Sequence, residues 1–204
     1  MSAMENIVGV IKSPAETFRK ILGSETRLII PLDIIVATGF FGGVNSFIQR
    51  PRMLESFREF YSTLGTEVPP AIQEQLIQQT TIFDEVSSSV VSAIVTWVIL
   101  VAVYYVISKL LRGKAGFKDL LELVGYARVP SLIGAIFGLM LVFVHPFLLI
   151  FFGLLFSLWS IALDVLAVRE SNRFTTGKAI VTVAIPIVGG AAIMAAMTFM
   201  LMLF

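Results

Sequence analysis

Cysteine is absent from this 204-residue chain and histidine occurs once, as His145. Without thiols there can be no disulfide framework, thiolate metal site or cysteine nucleophile, and redox compartment cannot be read from cysteine usage. No Asn-x-Ser/Thr acceptor is present either. Charge is also scarce: 14% of residues are charged and the formal net charge is +1. The basic residues are scattered through short polar segments and form no single stripe, which argues against nucleic acid as a partner.

The patterns that carry enzymatic chemistry are missing too. A nucleophile with its base, a pair of acids or a metal cluster each demands its own spacing, and none is found. His145 stands before Pro146 at a turn between two apolar blocks. Thr176-Gly177-Lys178 matches only the end of a phosphate loop, because Asn172 and Ala179 occupy positions that need Gly and Ser or Thr. Ser157 and Ser160 precede Asp164 without a base, so their hydroxyls are read as bonding back to their own helix. The expectation is a non-enzymatic protein with no cofactor and no metal.

Apolar residues dominate, at 57% of the chain, with a mean hydropathy of +0.91. They are gathered into five blocks: Leu28 to Ile48, Val86 to Leu111, Leu120 to Val144, Phe147 to Val168, and Ala179 to Phe204. A bilayer core about 30 Å thick needs roughly 20 apolar residues in helix, so each block approaches or meets the length of a span. Single spans satisfy their backbone in lipid only as helices. The fold class expected is all-α, a polytopic membrane bundle of five transmembrane helices plus amphipathic surface helices. Residues 1–27 lack the apolar core of a secretory signal, and no small-residue cleavage pattern follows the first block, so that block is read as retained.

Five spans place segments 1–27, 109–118 and 169–178 on one side. They carry Lys12, Arg19, Lys20, Arg27, Lys109, Arg112, Lys114, Lys118, Arg169, Arg173 and Lys178, most of the 15 basic residues. The positive-inside rule makes that side cytoplasmic. The expectation is a protein integral to a prokaryotic plasma membrane, with its N-terminus cytoplasmic and its C-terminus outside. Residues 1–27 read as a cytoplasmic amphipathic segment and 28–204 as the membrane domain. Within the first, Ser13, Pro14 and Glu16 have the spacing of a helix start with a capping box. Ile7, Val10, Ile11, Phe18, Ile21 and Leu22 recur at helical spacing beside Lys12, Arg19 and Lys20, the pattern of a basic surface helix. Residues 50–85 read as an external helical hairpin. Met53, Phe57, Phe60, Tyr61 and Leu64 share one face, Ile72, Leu76 and Phe83 another, and Pro69-Pro70 divides them.

Ionisable residues within spans are costly and face a partner or a cavity. Asp33, Glu122, Arg128 and Asp164 form the candidate intramembrane polar site. Arg128 has the reach to meet Asp164 or Asp33 in an ion pair; the alternative is a polar cavity for a headgroup or anion, on which a small transporter or channel for an anionic solute or lipid would rely. Gly39 with Gly43, and Gly134 with Gly138, show the spacing that lets helices approach closely, within the monomer or in self-association. Pro130 and Pro186 each remove a helical donor and predict kinks.

Gly125-Tyr126-Ala127-Arg128-Val129-Pro130, followed by Gly134 and Gly138, resembles the Gly-Tyr-x-x-x-Pro segment of the Yip family of Ypt/Rab-interacting membrane proteins. Ser13-Pro14-Ala15-Glu16-Thr17-Phe18 is similar to the opening of prokaryotic members. The resemblance makes Gly125, Tyr126 and Pro130 family-motif residues. It implies a five-span fold and a role in membrane organisation or trafficking, with membrane lipids and protein partners. The acidic N-terminal region with an Asp-Leu-Tyr-Gly-type segment that eukaryotic members carry is missing.

Overall fold

The computed structural model describes residues 3–25, 27–70, 81–141 and 146–203. Its helices are α1 (Ala3–Lys12), α2 (Pro14–Leu22), α3 (Ile29–Thr63), α4 (Ile82–Leu110), α5 (Phe117–Tyr126), α6 (Val129–Leu141), α7 (Pro146–Asn172) and α8 (Thr176–Leu203). Among the described residues there is no strand. Five stretches are long and apolar enough to cross a membrane: Ile29–Arg52, Ile82–Leu110, Phe117–Leu141, Leu148–Asn172 and Thr176–Met200. The chain is an all-α integral membrane bundle.

Only Ser13 separates α1 from α2. Its N–H donates to the Gly9 carbonyl at 2.7 Å and completes the last turn of α1. That leaves Glu16 nothing to accept at the start of α2, so the capping box does not form; Glu16 pairs with Lys20 at 2.7 Å instead. The hydrogen bond from Lys20 holds the Glu16 carboxyl below its usual range. Pro14 takes the first helical position, where its missing N–H is harmless. A Cβ on Gly9 would lie 2.6 Å from the Thr17 hydroxyl, so the two helices fold back tightly there. Val10, Phe18 and Ile21 are buried. The apolar face of α2 therefore rests on the bundle, and the Arg19 guanidinium grips Glu170 of α7 at 2.6 and 3.3 Å.

The α3–α4 pair forms the longest seam. Cβ atoms on Gly39 and Gly43 would each lie 2.7 Å from a backbone Cα of α4, those of Val90 and Val86. Arg50 and Glu85 close the far end of the seam as an ion pair. The structure differs from the hairpin expected from residue 50 onward: α3 runs unbroken through Pro51 to Thr63, 35 residues or about 52 Å of helix. It is held to α4 immediately before Pro51, and beyond it Phe60 and Leu64 of the predicted apolar face are exposed. Of the second half of that expectation, Ile72 and Leu76 lie outside the described residues, as does His145, while Phe83 is exposed in the first turn of α4. A capping box does occur at Thr81, where the side chains of Thr81 and Asp84 bond each other's backbone N–H at 3.2 and 3.1 Å.

The third span is interrupted at Pro130: α5 ends at Tyr126 and α6 starts at Val129. By contrast α8 stays continuous through Pro186. Buried positions on α4, α7 and α8 concentrate in the halves nearest α5, from Trp97 to Ser108, Ser160 to Asn172 and Ala179 to Val183. Residues 187–200 of α8 are all exposed. The core thus sits at one end of the bundle, roofed by α1, α2 and α5. The three basic segments meet at this end: Arg19 reaches Glu170, Lys109 donates to the Ala115 carbonyl at 3.0 Å, and Lys178 to the Leu111 carbonyl at 3.4 Å.

Candidate functional site

Arg128 owes its position to the broken third span. Pro130 cannot supply a donor to the preceding turn, and the backbone tightens there: the Arg128 N–H donates to the Gly125 carbonyl at 3.1 Å, and the Arg128 carbonyl accepts from Leu132 at 3.0 Å. The side chain then leaves the gap between α5 and α6 and its Nη2 donates to Asp164 Oδ2 on α7. The Tyr104 hydroxyl of α4 donates to the same oxygen at 3.2 Å. Asp164 and Tyr104 are each 1% exposed. The second oxygen, Asp164 Oδ1, is buried with no partner among the described residues. One turn beyond Arg128, Ser131 and Ser160 share a hydrogen bond of 2.8 Å. Three spans are joined around one buried carboxylate.

On its other side Arg128 borders a cavity of about 340 Å³ between α3 and α4, whose lining includes Thr38, Ser89, Ser92 and Thr96. Asp33 takes no part. It is exposed on the outer face of α3, while Ile34 and Ile35 turn inward, and it makes no ion pair among the described residues. Glu122 is also elsewhere. It lies on α5 at the basic end, 4% exposed, and its Oε1 accepts the Arg27 backbone N–H at 3.2 Å. Glu122 borders a larger cavity of about 490 Å³ with Asn6, Lys20, Arg27 and Tyr126. The four ionisable candidates therefore fall in three separate places.

Gly125 proves to be a packing position: a Cβ there would lie 2.5 Å from Pro31 Cβ and 3.2 Å from the Trp97 ring. Tyr126 is buried, and its hydroxyl accepts a hydrogen bond from Asn6 Nδ2 at 3.2 Å. Pro130 is also buried. Gly134 and Gly138 serve different neighbours. The first makes room for the Phe156 ring of α7, the second for Asn45 of α3, whose Nδ2 donates to the Ala135 carbonyl at 2.7 Å.

Sequence reasoning overlooked Asn172. Buried at the end of α7, its Oδ1 accepts from the Ala115 backbone at 3.2 Å and its Nδ2 donates to Ser108 Oγ at 3.2 Å and to the Val168 carbonyl at 3.1 Å. It staples the α4–α5 connection to α7, and Gly113 lies so close to its side chain that no Cβ fits. The only signal in sequence was an asparagine near a helix end, which is common.

A helical membrane bundle with its polar groups drawn into ion pairs and amide staples is the class these features define. The family model described as the Yip1 domain matches residues 8–197. The chain belongs to the Yip1 domain family, a non-enzymatic membrane family. It is also similar to an uncharacterized protein of Methanocaldococcus jannaschii, with 24% identity over 131 residues that cover 64% of this chain and 84% of the relative. No solved structure matches it.

Proposed function

We propose that this chain is a non-enzymatic membrane-organising scaffold of the prokaryotic plasma membrane. The observation that carries the reading is the state of the N-terminal helices. Val10, Phe18 and Ile21 anchor them to the bundle, while Met4, Val8 and Ile11 of α1, at 69, 38 and 37% exposure, leave an apolar stripe free. These three recur at helical spacing, with Lys12 in the last turn. A firmly docked helix with an apolar face beside basic residues inserts into the headgroup layer and expands one leaflet. The transporter alternative has less support, since Arg128 is engaged by Asp164 and Asp33 stands apart.

Reconstitution into liposomes tests the reading. The wild-type chain is expected to shrink or tubulate vesicles at high protein-to-lipid ratio, as seen by electron microscopy. Met4→Ser/Val8→Ser/Ile11→Ser is expected to leave vesicles like protein-free ones although it folds and inserts. Equal vesicle shapes with wild type and triple variant would remove α1 from the account.

We further propose that the basic end is cytoplasmic, because eleven basic residues meet there. With no native cysteine, single cysteines at Lys114, Arg173 and Glu67 report sidedness to an impermeant thiol reagent. Only Glu67→Cys is expected to label from outside intact cells; outside labelling of Lys114→Cys would invert the topology.

A further inference from the structure

We propose that the cavity at the basic end is a site for a phosphoethanolamine group carried on a membrane lipid. The cavity measures about 490 Å³, within the roughly 300–1,000 Å³ that small-molecule sites occupy. Its inner wall holds buried acceptors with few donors among the described residues. Glu122 and Tyr126 are four residues apart on α5 and share a face. The Glu122 carboxylate is almost wholly buried and receives one backbone N–H, from Arg27, although two oxygens offer about four acceptor sites. Asn6 spends its Nδ2 on the Tyr126 hydroxyl, and its Oδ1 is left buried with no partner among the described residues. A largely buried carboxylate with one backbone donor and a buried amide oxygen with none among the described residues are costly, and a primary ammonium, with one positive charge and three N–H groups, offers donors to both.

The rest of the wall has the opposite sign. Lys20 and Arg27 border the same space, with Lys20 tied, among the described residues, only to Glu16 in a surface pair, an arrangement of little net strength. Glu25 also borders it, in an exposed segment. Buried acceptors and two cations in one cavity match a zwitterion: ammonium against Glu122 and Asn6, phosphate against Lys20 and Arg27. The cavity lies where the first and third spans begin, and Ile29 and Met4 beside it are 74 and 69% exposed. They give acyl chains an apolar path into the bilayer. The headgroup contacts at Glu122, Asn6, Lys20 and Arg27 are separate from the membrane-organising stripe, which shares only Met4 with the acyl path, and either reading can fail alone.

The test uses the full chain in neutral detergent, with binding measured by native mass spectrometry and by melting temperature. Phosphatidylethanolamine is expected to bind at least tenfold more tightly than phosphatidylcholine or phosphatidylglycerol. Affinity should fall along the mono-, di- and trimethylated series as N–H donors are lost, a comparison that needs no variant. Glu122→Gln is expected to bring the ethanolamine-to-choline ratio near one, and Lys20→Ala to weaken both lipids together. Free O-phosphoethanolamine should leave the melting temperature unchanged; binding as tight as that of the lipid would overturn the lipid source. Equal binding across the methylated series, or tightest binding of phosphatidylglycerol, would overturn the site.

Discussion

Arg128→Met is expected to cost about 3–5 kcal/mol of stability, and Arg128→Met/Asp164→Asn to regain most of it. The asymmetry comes from burial. In the wild type, Asp164 is 1% exposed and Arg128 is the cation bound to it. Removing Arg128 leaves a charge in a poorly solvated place with one neutral donor, the Tyr104 hydroxyl at 3.2 Å. Replacing the carboxylate with an amide removes that charge, so the double variant loses a hydrogen-bonded pair without stranding an ion. In detergent the single variant should melt on the order of 10 °C below wild type. Asp33→Asn should give no rescue, because Asp33 is exposed on the outer face of α3. A stable Arg128→Met, or rescue by Asp33→Asn equal to that by Asp164→Asn, would sink the assignment of the pair.

Gly39→Leu is expected to be the next most damaging change, about 1–3 kcal/mol or more. The atom a Cβ would meet at 2.7 Å is the Val90 Cα, with the Ser89 carbonyl oxygen at 3.1 Å. Backbone cannot swing aside as a side chain can, so α3 and α4 must separate along the seam. Insertion should be unaffected, since leucine is favourable in lipid. The control is Gly189→Leu on α8, where nothing lies within 4 Å; it should melt like wild type. Equal melting of Gly39→Leu and wild type would place Gly39 toward lipid and break the seam.

The membrane-crossing architecture was legible because its signal is cumulative: five apolar blocks, each near 20 residues, leave little freedom in a bilayer. The helix break before Pro130 was legible for a similarly strong reason, a missing donor. Which faces meet was not. Asp33 and Asp164 were equally good partners for Arg128 on paper, because rise along a helix gives depth and says nothing about rotation within the bundle. The capping box at Ser13 failed for a related reason. Its residues were right, but the Ser13 N–H already served α1, and that competition appears only once both helices are built. Gly125 was recognised as part of a motif, yet its reason, the contact with Pro31, joins residues almost a hundred positions apart. Asn172 had no periodicity to betray it.

We infer that the charge inside this bundle locks helices together and does not line a conduit. An experimental structure in lipid nanodiscs tests it most directly. The Arg128 guanidinium is expected bound to Asp164, with the Tyr104 hydroxyl on the same carboxylate and no water chain reaching either end of the bundle. An Arg128 turned away from Asp164 into a continuous column of water would contradict it.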